Sequence, residues 1–485
     1  MSQDKKIRVG SRKSELALIQ TRHVISLLKD LNPNKEFEIV TMNTLGDKVL
    51  DIPLPKIGEK SLFTKELEAA LSTSCVDFVV HSLKDLPTTL PPGMAIGAVL
   101  TREDPRDALV LQKSIKNASL QTLSKGSVVG TSSLRRTAQL AKKYPHLKVE
   151  NIRGNLNTRL KKLDDLGKYH AIILAAAGLI RMGWNDRISK ILEPEEILYA
   201  VGQGALAVEC RENDENTIKL LAPLYDLHTA LRVISERSFM KTLGGGCSAP
   251  VAISSELINV AGSSEYKLNL KGAVWSLDGT EEVVEEGSCG LFLRELKKCA
   301  SCPFNTRAIT TSIEDMECLK ECKKCPNKSS EEKPSKRQKL DEDILSDMLK
   351  NDPHEHCPVK MPIGSDFMGK CPYLESHSKA GKCPVNATME GTSTSTELYQ
   401  QCPFMKNGNL SIIENEILKT DDPIKESENL YCGLVLHKEA PLEVFLKSLN
   451  LGKDLALKLA KKGALEIMTK AQAVIHSEVA ASSKS

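Results

Sequence analysis

The chain has 485 residues, of which 41% are hydrophobic and 27% charged, enough apolar material for about two to four packed domains. Its net charge is only +3 and aromatic residues make up 4%, which argues against bulk attraction of nucleic acid and against a base-stacking surface. No apolar run reaches the roughly 18 residues that span a bilayer, and residues 1–10 lack the apolar core of a signal peptide. We therefore expect a cytoplasmic protein without a membrane segment, whose anion sites are local clusters of basic side chains.

Cysteine is unusually frequent, with 14 residues in a chain for which a reducing compartment is expected. Nine of the 14 fall within about a hundred residues, at positions 299, 302, 318, 322, 325, 357, 371, 383 and 402. The length and the cysteine count therefore both point to one unusual segment.

The first 222 residues alternate between strand-like and helix-like patterns. Strands are predicted at 6–10, 37–42 and 76–81, and helices at 15–30, where Ser14 provides the N-cap, and 61–71. The run at 76–81 is almost continuously apolar, as in a buried parallel strand. This alternation predicts a doubly wound α/β sheet, with its ligand site beyond the carboxyl ends of the strands.

Two pairs of segments resemble each other within this region. Val9-Gly10-Ser11 is similar to Val129-Gly130-Thr131, and residues 77–81 are similar to residues 170–174. Two related α/β lobes with a cleft between them would explain both pairs. The alternative is that any two strand-to-helix turns look alike.

The pattern changes after about residue 226. A helix is predicted over 231–242, ending at a triple glycine and Cys247, followed by strands at 251–253, 268–270 and 273–275. Residues 288–429 are polar and predict a largely disordered insertion within one domain, because apolar segments resume near 431 and a helical pattern runs over 452–470.

Six arginines lie after predicted strands or in turns and first helical turns, where an α/β fold would bring them to one cleft: Arg12, Arg135, Arg136, Arg153, Arg159 and Arg181. Ser132 and Ser133 begin a helix, whose N-terminus attracts anions. Guanidinium groups bind carboxylates through two hydrogen bonds, so the pattern favours a ligand with many carboxylates or phosphates. The alternative is a solvated helix face.

Two further residues are candidates for chemistry. Asp85 follows the buried strand 76–81 and suits a general acid, a base or a counter-charge, although an N-cap would also explain it. Cys247 follows three glycines, which permit close approach of a nucleophile or attachment point, whereas a lone thiol is more often buried and inert.

Eight motifs in order resemble the hydroxymethylbilane synthase (porphobilinogen deaminase) family. They are VGSRKSELALIQT at 9–21, IGEKSLFTKELE at 57–68, VVHSLKDLPT at 79–88, VGTSSLRR at 129–136, IRGNLNTRL at 152–160, AAGLIRMG at 176–183, YAVGQGALAVE at 199–209 and LGGGCSAPVA at 243–252. The resemblance covers about 1–287 and 430–472. It implies condensation of four porphobilinogen molecules head to tail, with release of ammonia, on a dipyrromethane made from the same substrate.

The resemblance also assigns site residues. It implies Asp85 as the catalytic residue that stabilises the cation left when ammonia departs, and Cys247 as the thioether attachment of the dipyrromethane. It implies seven residues that hold this cofactor: Ser82, Lys84, Thr131, Ser132, Arg135, Arg136 and Arg159. Five residues match the side of the incoming substrate: Arg12, Ser14, Gln20, Arg153 and Arg181.

The implied fold has two doubly wound lobes like those of periplasmic binding proteins and a smaller α+β third domain. The expected boundaries are 1–100 with 203–222 for the first lobe, 101–202 for the second, 223–287 with 430–475 for the third domain, and 288–429 for the insertion. Residues 43–60 are predicted to form a mobile lid beside the cleft. No metal is expected in these domains, and the chain is expected to act as a monomer.

The insertion carries two competing cysteine patterns. Cys299, Cys302, Cys322 and Cys325 form two CxxC pairs with the spacing of a zinc ribbon. Six Cys-Pro pairs begin at Cys302, Cys325, Cys357, Cys371, Cys383 and Cys402 and resemble haem regulatory motifs, for which His354 or His356 would supply a second ligand. The third possibility is a disordered loop whose sequence changes rapidly in evolution and whose cysteines bind no ligand.

Two readings of the whole chain remain open from sequence. The first is the transferase just described, with porphobilinogen as its substrate and with haem sensing as one of the three possibilities for its insertion. The other is a catalytically silent, two-lobed anion-binding protein or a metal- or haem-dependent regulator. Residues 334–340 also resemble a short nuclear-import signal, a pattern that is common by chance in basic loops.

Overall fold

The computed structural model describes residues 6–44, 63–244, 250–260, 264–293, 430–437 and 440–482, with the side chains of the last helix described as far as residue 474. Up to residue 221 the elements are, in chain order, β1 Ile7–Arg12, α1 Glu15–Leu31, β2 Phe37–Met42, α2 Lys65–Ser72, β3 Phe78–Ser82, β4 Met94–Val99, β5 Asp107–Leu111, β6 Val128–Gly130, α3 Leu134–Lys143, β7 Lys148–Glu150, α4 Leu156–Asp165, β8 Ala171–Ala175, α5 Ala176–Arg181, β9 Lys190–Leu192, β10 Leu206–Arg211 and α6 Glu215–Leu221. The remaining elements are α7 Leu227–Thr242, β11 Val251–Asn259, β12 Glu265–Trp275, β13 Glu282–Phe292, β14 Leu430–Tyr431, β15 Leu434–Val435, α8 Leu442–Lys461 and α9 Ala464–Ser482.

Two mixed sheets have the same core topology. The first has the order β14-β15-β4-β10-β3-β1-β2 and the second β7-β6-β8-β5-β9. In each sheet the three strands on one side are parallel, and the next strand, β10 or β5, runs antiparallel to both of its neighbours. Each of these antiparallel strands is the first one formed after the chain crosses from the other lobe. The predicted α/β class with two related lobes is therefore confirmed.

The internal resemblance seen in the sequence corresponds to identical strand registers. Val9 is paired with Phe78 in the first sheet, and Val129 with Ala171 in the second. When the similar segments are aligned, Val9 corresponds to Val129 and Phe78 to Ala171, so the two pairs are equivalent. Both turns therefore lead from the carboxyl end of an equivalent strand toward the same cleft.

The third domain is a three-stranded antiparallel sheet, β11-β12-β13, covered by α7 and α8. The strands predicted at 268–270 and 273–275 are parts of the single strand β12, and β13 continues to Phe292, beyond the expected start of the insertion at 288. The largest apolar core is continuous between the first lobe and this domain, while the second lobe has separate cores on the two faces of its sheet.

The segment that follows the insertion begins in the first sheet. β15 pairs in parallel with β4, and Ile96 N–H donates to the carbonyl of Gly433 at 2.7 Å. Residues 430–435 thus extend the sheet of the first lobe, although the expected boundary assigns them to the third domain. The chain enters that domain's helical layer at Leu442.

Candidate active site

The carboxyl ends of the parallel strands in both sheets open on one cleft of about 460 Å³. Ten predicted site residues line it: Arg12, Ser14, Gln20, Ser82, Lys84, Asp85, Arg136, Arg153, Arg159 and Arg181. They come from both lobes. In an α/β fold the carboxyl ends of the parallel strands lie at one edge of the sheet, and here the ends of β1 and β3 in the first lobe and of β8 in the second lie at the cleft.

The side chain of Arg136 is held by Asp107, a buried acid at the start of β5 in the second lobe. Its guanidinium donates to the two carboxylate oxygens of Asp107 at 3.0 and 2.7 Å and to the carbonyl of Ile173 at 2.9 Å. Arg135 donates to the same carboxylate at 2.9 Å and to the carbonyl of Leu198. Burial alone would raise the pKa of Asp107, but the charges of Arg135 and Arg136 outweigh it and hold the pKa well below its ordinary value.

Lys84 and Asp85 lie on the short 3-10 turn Leu83–Asp85 that follows β3. Loss of hydration lowers the pKa of Lys84 to about 8; the carboxylate of Asp85 opposes this shift and the charge of Arg136 adds to it. Both side chains are half-buried and line the cleft. A cation and an acid are therefore adjacent at the place where the sequence motif VVHSLKDLPT predicts chemistry.

The arginines of the second lobe crowd one another. Burial, together with the charges of Arg136 and Arg153, lowers the pKa of Arg159 to about 10. Burial likewise lowers the pKa of Arg181 to about 10. Positive groups that are partly stripped of water and repel each other are stabilised by an anionic ligand, so this donor set fits carboxylates.

Polar contacts orient the wall contributed by the first lobe. The Gln20 side-chain amide donates to the hydroxyl of Ser82 at 3.0 Å, and Ser14 caps α1 by accepting from Ala17 N–H. The guanidinium of Arg12 lies over the ring of Phe63, 4.3 Å from its centroid.

The two lobes touch across the mouth of the cleft. The side-chain amide of Asn157 donates to Glu15 at 2.6 Å, which joins α4 to α1. Arg181 donates to the carbonyl of Gly204 at 2.6 Å, in the segment that returns from the second lobe to the first. These bonds hold the lobes in the arrangement that forms the cleft.

Three predicted cofactor residues lie near the cleft without lining it. Thr131 is buried and accepts from Ser133 N–H, the Ser132 hydroxyl donates to the carbonyl of Ile152, and Arg135 is directed into the protein toward Asp107. Their assignment to a bound ligand stays a prediction. Within the part of the chain that the structure describes, no group of three or more His, Cys, Asp or Glu residues is arranged to hold a metal ion.

Several predictions fall on residues outside the described ranges. Cys247 lies in 245–249, most of the predicted lid lies in 45–62, and all the cysteines of the CxxC and Cys-Pro patterns lie in 294–429. Among the described residues, no helix has both the length and the apolar character needed to cross a bilayer.

Sequence reasoning did not single out Asp107, Gln203 or Phe63. Asp107 begins an apolar strand, and a charge at such a position is a signal for a buried ion pair. Gln203 donates to Asp107 at 2.8 Å and lies in the YAVGQGALAVE motif, which marks the family without indicating a role for this side chain. Phe63 lies within the IGEKSLFTKELE motif, but nothing in the sequence distinguishes it from a core residue.

Comparison with known proteins identifies the family. Residues 7–219 match the family model "Porphobilinogen deaminase, dipyromethane cofactor binding domain", and residues 230–307 match "Porphobilinogen deaminase, C-terminal domain". The chain is 51% identical over 273 residues to a porphobilinogen deaminase of Synechococcus elongatus, covering 56% of this chain and 83% of that protein. It is 52% identical over 272 residues to a porphobilinogen deaminase of Gloeobacter violaceus, covering 56% and 81%.

The matched regions contain the cleft residues of both lobes and the segment before the insertion. Together, the two family models span the two-lobed unit and much of the third domain. The chain belongs to the porphobilinogen deaminase family.

Proposed function

We propose that the cleft performs the hydroxymethylbilane synthase reaction, with Asp85 as its catalytic residue and the surrounding cations as carboxylate binders. As a member of its family the chain is a transferase of porphyrin biosynthesis that uses porphobilinogen as substrate and carries a dipyrromethane. The observation that carries the residue assignment is the placement of Asp85 and Lys84 in a cleft lined by Arg12, Arg136 and Arg159.

The donor set suits the dipyrromethane. Lys84, Arg136 and Arg159 would hold its carboxylates, because these cations lie together and lack full hydration. When bound, the group supplies the carbon nucleophile to which the first substrate pyrrole is added. Cys247 is the proposed attachment residue, by its match to the family motif.

Asp85 would act on the substrate pyrrole. Loss of ammonia leaves a cation on the incoming ring, and a carboxylate within reach of the ring N–H stabilises that charge and accepts a proton. Arg12, Arg153 and Arg181, with Ser14 and Gln20, would hold the acetate and propionate of the incoming molecule. Fixed guanidinium groups offset the repulsion among roughly twelve carboxylates that accumulate as the product grows.

Cytoplasmic, monomeric action without nucleic acid is part of this proposal. Near-neutral net charge supports the exclusion of nucleic acid.

The test is the Asp85→Asn variant, assayed for turnover of porphobilinogen and for bound dipyrromethane with Ehrlich's reagent. We expect full colour and a kcat lower by about 10² or more, the scale of lost acid–base help. Asp186→Asn is the matched control, because Asp186 also lies in a 3-10 turn but is exposed and outside the cleft. Normal turnover by Asp85→Asn would remove Asp85 from its role.

The competing function is an anion-binding protein that has lost catalysis. A purified wild-type chain that gives no colour with Ehrlich's reagent and no turnover would favour it. For the attachment residue, mass spectrometry of Cys247→Ser should show no covalent dipyrromethane; an adduct that persists would contradict the assignment.

A further inference from the structure

A buried arginine of the third domain holds the main chain that follows Asp85. Arg237 of α7 is 1% exposed. Its guanidinium donates to the carbonyls of Leu86 at 3.4 Å, Pro87 at 2.7 Å and Thr88 at 3.3 Å, and to the carbonyl of Cys432 at 2.9 Å. One side chain thus binds three consecutive peptide groups immediately after the proposed catalytic residue.

These bonds complete the support of the Asp85 turn. On its N-terminal side the turn continues from β3, and Leu83 N–H donates to the carbonyl of Ala205 at 3.0 Å. On its C-terminal side the chain leaves the sheet, and the hydrogen bonds from Arg237 hold the carbonyls of residues 86–88. Since hydrogen bonds from a charged donor are stronger than neutral ones, the peptide after Asp85 is held on both sides.

The arrangement is costly in free energy. Burying a guanidinium removes its hydration, and carbonyl oxygens return only part of that loss. An apolar side chain of similar volume would fill the same space but would leave the four carbonyl oxygens without this donor. The hydrogen bonds of Arg237 therefore join the main chain at residues 86–88 to the carbonyl of Cys432.

The partner on the other side is also anchored. Cys432 belongs to the β14–β15 turn, and this turn is joined to β4 through the hydrogen bond from Ile96 to Gly433. Arg237 is consequently held by the sheet that carries Asp85. Cys247, the proposed attachment residue, follows Arg237 by ten residues in the sequence.

We propose that Arg237 is a positioning residue that sets the place of Asp85 in the cleft through the carbonyls of residues 86–88. The proposal rests on the proposed function of Asp85. It predicts an effect on the chemical step, because displacement of a catalytic group by about 1 Å can reduce turnover by as much as 10². Substrate affinity depends on the arginines of the cleft, which Arg237 does not contact in the hydrogen bonds described above.

The test compares Arg237→Lys and Arg237→Gln holoenzymes, with kcat expressed per Ehrlich-positive molecule. We expect kcat to fall by about tenfold or more in both variants, with KM within about twofold of wild type. Lysine keeps the charge but cannot reach all the carbonyls with a planar fork. Arg232→Gln is the matched control, because Arg232 lies on the same helix and donates to Ser255. It should leave kcat unchanged.

A double-mutant cycle separates this proposal from the one on which it rests. If Arg237 acts through Asp85, adding Arg237→Lys to Asp85→Asn lowers kcat no further. An unchanged kcat in the Arg237 variants, or losses that multiply in the double variant, would overturn the positioning role. Failure of the Asp85 assignment would instead appear as normal turnover of Asp85→Asn alone.

Discussion

The carboxylate of Asp107 accepts two hydrogen bonds from Arg136, at 2.7 and 3.0 Å, at a point where neither side chain is more than 7% exposed. Arg135 and Gln203 share the same acid. The acid thereby joins the helix α3 to the return segment of the chain. Because Arg136 faces the cleft, the ion pair fixes the direction in which its remaining donor capacity points.

Asp107→Asn should therefore reduce loading with dipyrromethane. The amide leaves two buried guanidinium groups without their counter-charge, a change that costs about 3–5 kcal/mol when a buried pair is broken. We expect a lower melting temperature and a smaller Ehrlich signal per protein molecule. Full loading together with normal kcat would show that Asp107 does not organise the site.

Asp164→Asn is the control for this variant. Asp164 accepts two hydrogen bonds from Arg187, both at 2.9 Å, in a half-buried pair of the same lobe away from the cleft. It should reduce stability by a smaller amount and leave the Ehrlich signal unchanged. A comparable loss of colour in both variants would attribute the effect to general destabilisation of the second lobe.

The pKa of Lys84, about 8, predicts a pH dependence of cofactor assembly. The charged form of Lys84 attracts carboxylates, and the protein without cofactor loses that charge as the pH rises through about 8. Reconstitution of the apoprotein with porphobilinogen should therefore slow between about pH 7 and 9. Arg retains its charge over this range, so Lys84→Arg should flatten the profile.

The effect of the same group on stability has the opposite sign. The folded state holds the Lys84 proton less tightly than the unfolded state, so the unfolded state binds more protons between about pH 8 and 10.5. The free energy of unfolding of the apoprotein should gain from this residue as the pH rises through that window. Chemical denaturation of wild type and Lys84→Met at about pH 7.5 and 9.5 measures the difference, which should be absent in the variant.

Local patterns in the sequence were sufficient for α1, α2 and the parallel strands β1, β2 and β3 of the first lobe. Ser14 marked the start of α1, and the repeated Val-Gly turns at Gly10 and Gly130 marked equivalent strand ends. The antiparallel direction of β5 and β10 was not predictable, because it is set by crossings between lobes rather than by side-chain alternation.

The helical pattern predicted over 452–470 corresponds to parts of two helices, α8 and α9. The pattern was expected to begin at Gly452, but α8 begins at Leu442 and passes through that position. A Cβ there would collide with the carbonyl of Ser235, so the glycine permits close packing of α8 on α7. Such a role depends on a distant helix and leaves no local signal.

The candidate site divides in the same way. Asp85 and the arginines could be identified because their residue types and positions after strands suggest chemistry. Asp107 and Arg237 could not, because their roles arise from burial and from partners far away in the chain. Charge in a region that otherwise resembles core was the available clue for both.

Gly204 should tolerate no side chain, for reasons of space as well as conformation. Its φ is +88°, and a Cβ would collide with the carbonyl of Glu103. Its own carbonyl accepts the hydrogen bond from Arg181. We expect Gly204→Ala to lower the melting temperature and, through Arg181, to raise KM for porphobilinogen severalfold.

Gly93→Ala separates strain from collision. Gly93 has a similar φ of +77°, but a Cβ at this residue would meet nothing within 4 Å. Gly93→Ala should lower the free energy of unfolding by about 1 kcal/mol, because alanine is strained at this φ. Gly204→Ala should lower it by about 2–3 kcal/mol more, because the Cβ also collides with a neighbouring carbonyl. Equal losses of stability and an unchanged KM in both variants would refute the steric argument.

The buried pair of Arg102 and Glu236 should dominate the attachment of the third domain. Arg102 donates to the two carboxylate oxygens at 2.6 and 3.0 Å, and Gly202 N–H donates to the same carboxylate at 2.8 Å. Glu236 of α7 therefore ties together both segments that cross between the lobes. Burial would raise the pKa of Glu236, but Arg102 outweighs it and the pKa lies below the ordinary value.

Glu236→Gln should consequently lower the free energy of unfolding by about 3–5 kcal/mol, since it leaves the buried guanidinium of Arg102 without its acid. The stabilisation by the native carboxylate is fully present above the unfolded pKa of about 4.5 and is lost as the pH falls through the lower folded value. The stability difference between wild type and variant should therefore be constant from about pH 6 to 8 and shrink in acid.

Glu215→Gln, which breaks the exposed pair with Lys219, should change stability by less than about 0.5 kcal/mol. A loss for Glu236→Gln no larger than that of this control, measured by urea denaturation at about pH 7, would show that the crossing segments are held by other contacts.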